Sequence, residues 1–180
     1  MRCNLLTTSH VPFGGIEAMT IAIYAGSFDP VTRGHVDLIE RASKVFTKLI
    51  VGVGVNENKK GLFSYQERVN LLQNVCTQPN VQVLEFRGLL VDFCNKMDAT
   101  VIIRGLRAVT DFESELGMAH VNTQLSSNID TFFLPTKPEY SFVSSSTVKA
   151  LAAFGSDVSY YVHPIVVEAL RQKNGFMIGV

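Results

Sequence analysis

Hydrophobic residues in this chain fall into short continuous runs, separated by stretches in which they recur with helical spacing. Runs at Thr20–Tyr24, Lys48–Val55 and Thr100–Ile103 are rich in β-branched residues. That composition is typical of strands buried on both faces of a parallel sheet. Val81–Phe86 and Thr131–Leu134 have the composition of two further strands. The pattern therefore predicts five strands.

Helical patterns lie between and after these runs. After the first strand, apolar residues recur with a helical period, at Val36, Ile39, Ala42, Val45 and Phe46. Ser64–Glu67 is a capping box that begins a second helix, whose apolar stripe is Val69, Leu72 and Val75 or Cys76. Later helices are predicted over Leu89–Met97, about Val109–Leu125 and, in two or three pieces broken near Gly155 and Pro164, Ser144–Gly175.

Alternating strands and helices favour an α/β fold with one doubly wound, parallel, five-stranded sheet. Its crossovers are right-handed and its helices cover both faces. A length of 180 residues with 47% hydrophobic content suits a single domain. Met1–Met19 lacks the apolar core of a secretory signal. We expect residues 1–18 to be a disordered N-terminal extension and residues 19–180 to form the domain.

Composition narrows the classes of partner. The formal net charge is zero, which argues against binding to nucleic acid or to an anionic membrane surface. No apolar run approaches the roughly 20 residues of a membrane span. The three cysteines form no CxxC pair, so we expect free thiols in a reducing compartment and a cytoplasmic protein, without a disulfide framework or a zinc site.

The segment Gly26–His35 carries the strongest chemical signal, because it joins the first strand to the first helix. At such a junction the free N–H groups of a helix N-terminus face any anion, and ligands collect there in open α/β sheets. Gly26 permits close backbone approach, and His35 adds a side-chain donor in the first turn. The dinucleotide fingerprint and the P-loop are both absent from the sequence.

Three more segments follow predicted strands at the same edge of the sheet. Lys59 and Lys60 follow the second strand, and solvated surface lysines are the alternative interpretation. Arg104–Arg107 follows the fourth strand, where a guanidinium could grip phosphate or simply pair with a neighbouring acid. Tyr140–Thr147 holds a run of hydroxyls that can cap a helix and bind phosphate.

Two carboxylates lie one helical turn apart after the fourth strand. Asp111 and Glu115 share a face of the predicted helix. Like charges at that spacing mildly destabilise a helix. A compensating cation or a ligand hydroxyl is therefore one interpretation, and a solvated face is the other.

Four segments, in this order and at these spacings, resemble bacterial phosphopantetheine adenylyltransferase: Gly26–Pro30, Thr32–His35, Arg104–Arg107 and Val143–Thr147. The Thr-x-Gly-His element alone indicates only the nucleotidylyltransferase superfamily. Arg104–Arg107 followed by Ala108–Glu113 indicates this member. The similarity runs from the first strand to the C-terminal helices.

The resemblance implies a Rossmann-like nucleotidylyltransferase fold and an adenylyl transfer from ATP to 4′-phosphopantetheine. The products would be dephospho-coenzyme A and pyrophosphate, with Mg²⁺ as cofactor, in the penultimate step of coenzyme A synthesis. Members of the family are usually homohexamers, and coenzyme A is a candidate inhibitor. Small departures concern the adenine pocket: Ala25 stands where some members have proline, Ser27 where some have threonine, and Tyr140 where some have tryptophan.

Residue roles follow from the resemblance, position by position, and no residue is assigned as a metal ligand. The implied catalytic residues are His35, Lys59 and Arg104. The implied contacts of the acceptor are Ser27, Lys59, Leu90 and Arg104. The implied ATP contacts are Ser27, Phe28, His35, Arg104, Gly105, Arg107, Glu115, Tyr140, Ser141, Phe142, Val143, Ser144, Ser145 and Ser146.

Two alternatives to this function stay open at the level of sequence. The first is a related cytidylyl- or adenylyltransferase with another phosphate acceptor, because the shared motif determines the reaction more closely than the substrate. The second is a non-catalytic nucleotide sensor, which would bind ATP and release no pyrophosphate.

Overall fold

The computed structural model describes residues 20–56 and 60–175. The expectations for the N-terminal extension, for the start of the domain at residue 19 and for Lys59 lie outside the described residues. Within the described ranges, strands alternate with α helices. The strands are β1 (Ile21–Gly26), β2 (Lys48–Gly54), β3 (Val81–Phe86), β4 (Val101–Leu106) and β5 (Asp130–Pro135). The helices are α1 (Arg33–Ser43), α2 (Tyr65–Val75), α3 (Leu90–Lys96), α4 (Val109–Leu125), α5 (Ser145–Ala153) and α6 (Pro164–Asn174).

The five strands form one sheet in the order β3-β2-β1-β4-β5. Every neighbouring pair is parallel, with Ile23 of β1 opposite Ile50 of β2 and Ile102 of β4. The predicted parallel sheet is therefore confirmed. The chain moves outward from β1 to β3 and then returns to the other side of β1 with β4. Ligands of open α/β sheets bind at such a reversal, beyond the carboxyl ends of the strands.

The core lies on both faces of this sheet, because successive strand residues point to opposite faces. Ala22, Tyr24 and Ile103 belong to a cluster that also includes buried residues of α1, α2, α5 and α6. Ile23 and Ile102 belong to a second cluster, completed by Val91, Phe93 and Cys94 of α3. Helices on both faces confirm the doubly wound architecture.

Two local features differ from the sequence prediction. The prediction ended the fourth strand at Arg104, whereas β4 continues to Leu106 because Arg104 and Gly105 pair with Phe133 and Leu134 of β5. Val45 was expected in the apolar stripe of the first helix. It lies beyond the end of α1 at Ser43 and is 75% exposed.

A 3-10 turn over Pro138–Tyr140, absent from the prediction, follows β5. Across the described residues, none of the helices combines the length and the apolar character needed to cross a membrane.

Candidate active site

A cavity of about 360 Å³ opens at the carboxyl ends of β1 and β4, where the strand order reverses. Its walls come from the loop after β1, the first turn of α1, the end of β4, the segment after β5 and the start of α5. The predicted site residues that line it are Ser27, Phe28, His35, Arg104, Gly105, Arg107, Glu115, Tyr140, Val143, Ser144 and Ser145. The segments Gly26–His35, Arg104–Arg107 and Tyr140–Thr147 therefore meet at one cavity. Lys60 does not line it, and Lys59 lies outside the described residues.

The His35 ring is oriented by a capping box at the start of α1. Thr32 is the N-cap, and its hydroxyl accepts a hydrogen bond from the backbone N–H of His35. The Nδ1 atom of His35 accepts one from the backbone N–H of Thr32 at 3.0 Å. A glutamate usually makes this reciprocal bond. The imidazole replaces it here, and this bond occupies Nδ1.

The surroundings of His35 keep its ring neutral. Burial, together with the positive charge of Arg107, lowers its pKa to about 4. Phe28 packs edge-on against the imidazole with a centroid distance of 5.1 Å, and Phe28 is itself 1% exposed. The ring is thus held by packing on one side while the residue still borders the cavity.

Arg104 is paired with Glu115 inside the cavity. Its Nε and Nη2 atoms both donate to the Glu115 carboxylate, with 2.7 Å between Nη2 and Oε1. Its Nη1 atom donates to the carbonyl of Ala25 at 3.1 Å. These described contacts use three of the five guanidinium N–H donors. Arg104 therefore forms the ion pair with a neighbouring acid, and it also borders the cavity; that it binds phosphate stays a prediction.

The second carboxylate of the α4 pair has its own cation. Asp111 accepts hydrogen bonds from the Arg107 side chain at 3.0 Å and from the Arg107 backbone N–H at 3.2 Å. The side-chain bond lowers the pKa of Asp111. Asp111 and Glu115 are therefore compensated by Arg107 and Arg104, and neither carboxylate is a solvated like-charged neighbour of the other.

The start of α5 lines the cavity with Ser144 and Ser145. Ser144 is the N-cap and accepts from the Thr147 N–H at 3.0 Å. Ser145 Oγ donates to the carbonyl of Pro30 at 2.7 Å, which joins α5 to the loop after β1. Three predicted ATP contacts, namely Ser141, Phe142 and Ser146, do not line this cavity.

Because residue 34 is a glycine, the segment after β5 can pack closely against α1. A Cβ atom added at Gly34 would lie 3.2 Å from the Cβ of Tyr140. A separation of that size is tighter than ordinary van der Waals contact. The glycine of the Thr-x-Gly-His element therefore permits the wall that Tyr140 forms.

A second cavity of about 210 Å³ adjoins the first. Arg104 and Glu115 border both cavities, and Leu90 lines the second. The remaining lining is largely apolar and comes mainly from α3 and α4, with Asn122 and Thr131 as polar members. Thr131 Oγ1 is buried without a hydrogen-bond partner in the described part of the chain.

Sequence reasoning missed several lining residues. Tyr24, Leu38 and Thr136 line the first cavity, and nothing in their local pattern separates them from ordinary core or loop residues. Asn122 lies seven residues after Glu115 on α4, a spacing that returns to the same helix face. That spacing was the available signal for the second cavity.

Comparison with known proteins identifies close relatives. The cytidylyltransferase-like family model matches residues 23–151. The phosphopantetheine adenylyltransferase of Clostridium perfringens is 49% identical over 156 residues, which cover 86% of this chain and 95% of that protein. The protein of the same name from Streptomyces coelicolor is 49% identical, with 86% of this chain and 98% of that protein covered.

The fold is shared with a more distant solved structure. Plasmodium falciparum nicotinic acid mononucleotide adenylyltransferase, complexed with NaAD, matches with a TM-score of 0.65 at 15% identity. The match covers 87% of this chain and 96% of that one. At this identity the likeness shows the nucleotidyltransferase fold alone.

Proposed function

This chain belongs to the phosphopantetheine adenylyltransferase family, and from that membership we propose its reaction and the residues that perform it. The enzyme transfers the adenylyl group of ATP to 4′-phosphopantetheine and releases dephospho-coenzyme A and pyrophosphate. The observation that carries the assignment of residues is the pair of adjoining cavities with Arg104 and Glu115 on their common wall. Two substrates must meet in this reaction, and two neighbouring cavities suit them.

ATP occupies the larger cavity in this proposal. Its phosphates lie between the first turn of α1 and the N-terminus of α5, where free N–H groups and the hydroxyl of Ser144 favour anions. Arg107 adds a cation at the same cavity. Ser141, Phe142 and Ser146 were also predicted to contact ATP. They do not line this cavity, so their contacts with ATP stay predictions.

4′-Phosphopantetheine occupies the second cavity, with its phosphate directed to the common wall. Arg104, Ser27 and Lys59 bind that phosphate, and Leu90 contacts the pantetheine arm. The apolar lining suits the methylene and methyl groups of the arm. Asn122 lines this cavity, and the unpartnered hydroxyl of Thr131 lies buried in its wall; we propose both as partners of the polar groups of the arm.

The reaction needs no nucleophile from the protein. An oxygen of the acceptor phosphate bonds to the α-phosphorus while the bond to the bridging α–β oxygen breaks. Pyrophosphate leaves with the electron pair of that bond. The protein contributes positioning and stabilisation of charge. Arg104 offsets the repulsion between the two anions, and its bond to Glu115 holds the guanidinium in place.

His35 acts as a neutral hydrogen-bond donor in this proposal. Since Nδ1 accepts from Thr32, the proton of the neutral ring lies on Nε2. The N–H at Nε2 stabilises charge that grows on the α-phosphoryl oxygens. A pKa of about 4 means that the ring is uncharged at neutral pH. Its contribution is a directed donor rather than proton transfer.

Magnesium enters the proposal as part of the substrate, as the complex of Mg²⁺ with ATP. The described residues include no group of three or more His, Cys, Asp or Glu side chains that could hold a metal ion. The cavity carboxylate of Glu115 is engaged by Arg104. Mg²⁺ in such sites is held largely by substrate phosphates and water, and that coordination suits a cavity with this donor set.

We also propose a homohexameric assembly, inhibition by coenzyme A and a cytoplasmic location. Met118, Val121 and Leu125 form an apolar stripe on α4 at the edge of the second cavity and are 55%, 46% and 56% exposed. This stripe supports burial against further copies in a homohexamer. Coenzyme A shares the skeleton of the product and would compete for both cavities. The cytoplasm supplies ATP and a reducing environment.

A coupled pyrophosphate assay tests the reaction and the substrate together. The enzyme is mixed with ATP, Mg²⁺ and 4′-phosphopantetheine, and the acceptor is omitted in the control. We expect pyrophosphate and dephospho-coenzyme A in equal amounts, and neither without the acceptor. Pyrophosphate formed faster with CTP or with another phosphate acceptor would favour a related transferase. ATP binding without any pyrophosphate would favour a nucleotide sensor.

A further inference from the structure

Asp29 is a buried carboxylate in the loop between β1 and α1, and partners from three other segments bind it. The residue is 5% exposed. Its Oδ1 atom accepts from the Phe63 N–H at 2.9 Å, and its Oδ2 atom accepts from the Leu62 N–H at 3.0 Å. Lys149 Nζ of α5 donates to Oδ2 at 2.7 Å. Arg68 Nε of α2 lies 3.5 Å from Oδ1.

These contacts keep Asp29 ionised. Burial by itself raises the pKa of the carboxyl, but the hydrogen bonds from Lys149, Phe63 and Leu62, together with the charge of Arg68, lower it below its usual value. Gly61 leaves room for this arrangement, because a Cβ atom there would overlap the Arg68 guanidinium. The carboxylate is therefore a fixed negative charge between two cations.

Arg68 and Lys149 each connect Asp29 to a segment that lines the larger cavity. Arg68 Nη1 donates to the carbonyl of Ser27 at 3.2 Å, and Ser27 borders the cavity. Lys149 lies one helical turn after Ser145 on α5. Ser145 in turn holds the carbonyl of Pro30 at 2.7 Å. Asp29 thus connects two segments, the loop after β1 and the start of α5, that both line the larger cavity.

We infer that Asp29 is a positioning residue for adenylyl transfer: its carboxylate, through Lys149 and Arg68, sets the loop Gly26–Pro30 against the first turn of α5. Ser27 and Ser145 then face the same phosphates. The inference rests on the proposed function, because it concerns how well that reaction is aligned. Asp29 itself does not line the cavity, so it acts through its partners and without touching a substrate.

Kinetics of matched variants test the inference. Asp29→Asn keeps the shape of the side chain and removes the charge, and Lys149→Met removes the ammonium group. Each is expected to lower kcat by about 10- to 100-fold, since misplacement of reacting groups by about 1 Å costs about 100-fold in rate. The dissociation constant of ATP, measured by calorimetry, should change by less than about threefold, because the groups that bind ATP remain.

Three further variants distinguish a positioning role of Asp29 from a general loss of stability. Lys149→Arg keeps a cation beside Asp29 and should restore kcat to within about threefold of the wild-type value. The double variant Asp29→Asn/Lys149→Met should lose little more than either single variant. Val166→Ala is the stability control. Val166 is fully buried in α6 away from the cavity, and this variant should keep wild-type kcat below its melting temperature.

Each result has a definite meaning. A wild-type enzyme that forms no pyrophosphate overturns the proposed function, and the inference falls with it. An active wild-type enzyme with a normal kcat in folded Asp29→Asn overturns the inference alone. Losses that multiply in the double variant overturn the link through Lys149. Where Asp29→Asn does not fold, the comparison of Lys149→Met with Lys149→Arg decides, and equal loss in both contradicts the inference.

Discussion

The backbone N–H of Thr32 donates to Nδ1 of His35 at 3.0 Å. A backbone N–H has no lone pair to offer, so Nδ1 carries no proton in this geometry. The neutral ring therefore keeps its proton on Nε2. One local hydrogen bond thus determines the tautomer of the side chain to which the proposed mechanism assigns charge stabilisation.

Removal of the imidazole should therefore affect the reaction much more than the fold. His35→Ala is expected to lower kcat by about 100-fold or more, by analogy with the loss of one preorganised donor in other enzymes. Stability should fall by about 1 kcal/mol from the lost capping contact. Steady-state kinetics and thermal unfolding measure the two effects.

His120→Ala is the matched control for this variant. His120 is an exposed histidine of α4 that borders neither of the two cavities, so its loss should leave kcat unchanged. Near-normal turnover in His35→Ala would remove His35 from the mechanism.

The low pKa of His35 also predicts how stability depends on pH. The pKa is about 6.5 in the unfolded chain and about 4 in the folded protein. Between these values the unfolded state binds the additional proton, so stability must fall as pH falls from about 6.5 to about 4. The contribution of this shift to stability is on the order of 2 kcal/mol. This figure is smaller than the full pKa shift implies, because His35 borders the cavity and solvent there screens its charge.

Urea unfolding at a series of pH values measures this dependence. His35→Gln lacks the titrating group, so the difference in stability between the wild-type protein and this variant should shrink as pH falls from about 6.5 to about 4. A difference that stays constant over that range would show that the folded protein does not disfavour protonation of His35.

Gly34→Ala should disturb the cavity wall without weakening α1. Alanine favours a helix by about 1 kcal/mol relative to glycine, but its Cβ would lie 3.2 Å from the Cβ of Tyr140. The segment that carries Tyr140 must then shift. We expect the KM for ATP to rise by about 5- to 10-fold, the effect of roughly 1 kcal/mol of lost binding.

Gly117→Ala provides the comparison for Gly34→Ala. Gly117 lies within α4, and a Cβ there would meet no atom within 4 Å. This variant gains the same helix propensity without a clash, so it should be more stable by about 0.5–1 kcal/mol and keep the wild-type KM. A rise in KM in both variants would contradict the steric explanation.

The sequence predicted the sheet, the helices and the segments at the cavity because these depend on local signals. Hydrophobic runs, the capping box at Ser64 and the glycines of the strand-to-helix junction are all readable within about ten residues of chain. The partners of Asp29 could not be predicted in this way. Its contacts with Leu62 and Lys149 join residues 33 and 120 positions apart, and only the packed sheet brings them together.

The alternatives at Arg104 show a second limit. A guanidinium after a buried strand has the same local sequence whether it pairs with an acid or faces a ligand. Arg104 pairs with Phe133 of β5 along the backbone, and its side chain binds Glu115 of α4. Its role therefore depends on where a later helix lies, which the pattern of hydrophobic residues leaves open.

Thr131→Val tests the assignment of the second cavity. The Oγ1 atom of Thr131 is buried and lacks a hydrogen-bond partner among the described residues, and an unsatisfied buried hydroxyl costs about 1–3 kcal/mol. Valine has nearly the same shape, so the variant without substrates should be more stable. If that hydroxyl binds the pantetheine arm, the KM for 4′-phosphopantetheine should rise by about 5- to 10-fold, the equivalent of one hydrogen bond.

The KM for ATP should be unchanged in Thr131→Val, because Thr131 borders the second cavity and not the first. Thr123→Val is the control, since Thr123 is exposed on α4 and lines neither cavity. Its kinetics should match the wild type for both substrates. A Thr131→Val enzyme that gains stability and keeps its KM for the acceptor would show that the arm does not use this hydroxyl. A higher KM for both substrates would instead show that the two cavities do not divide the substrates as proposed.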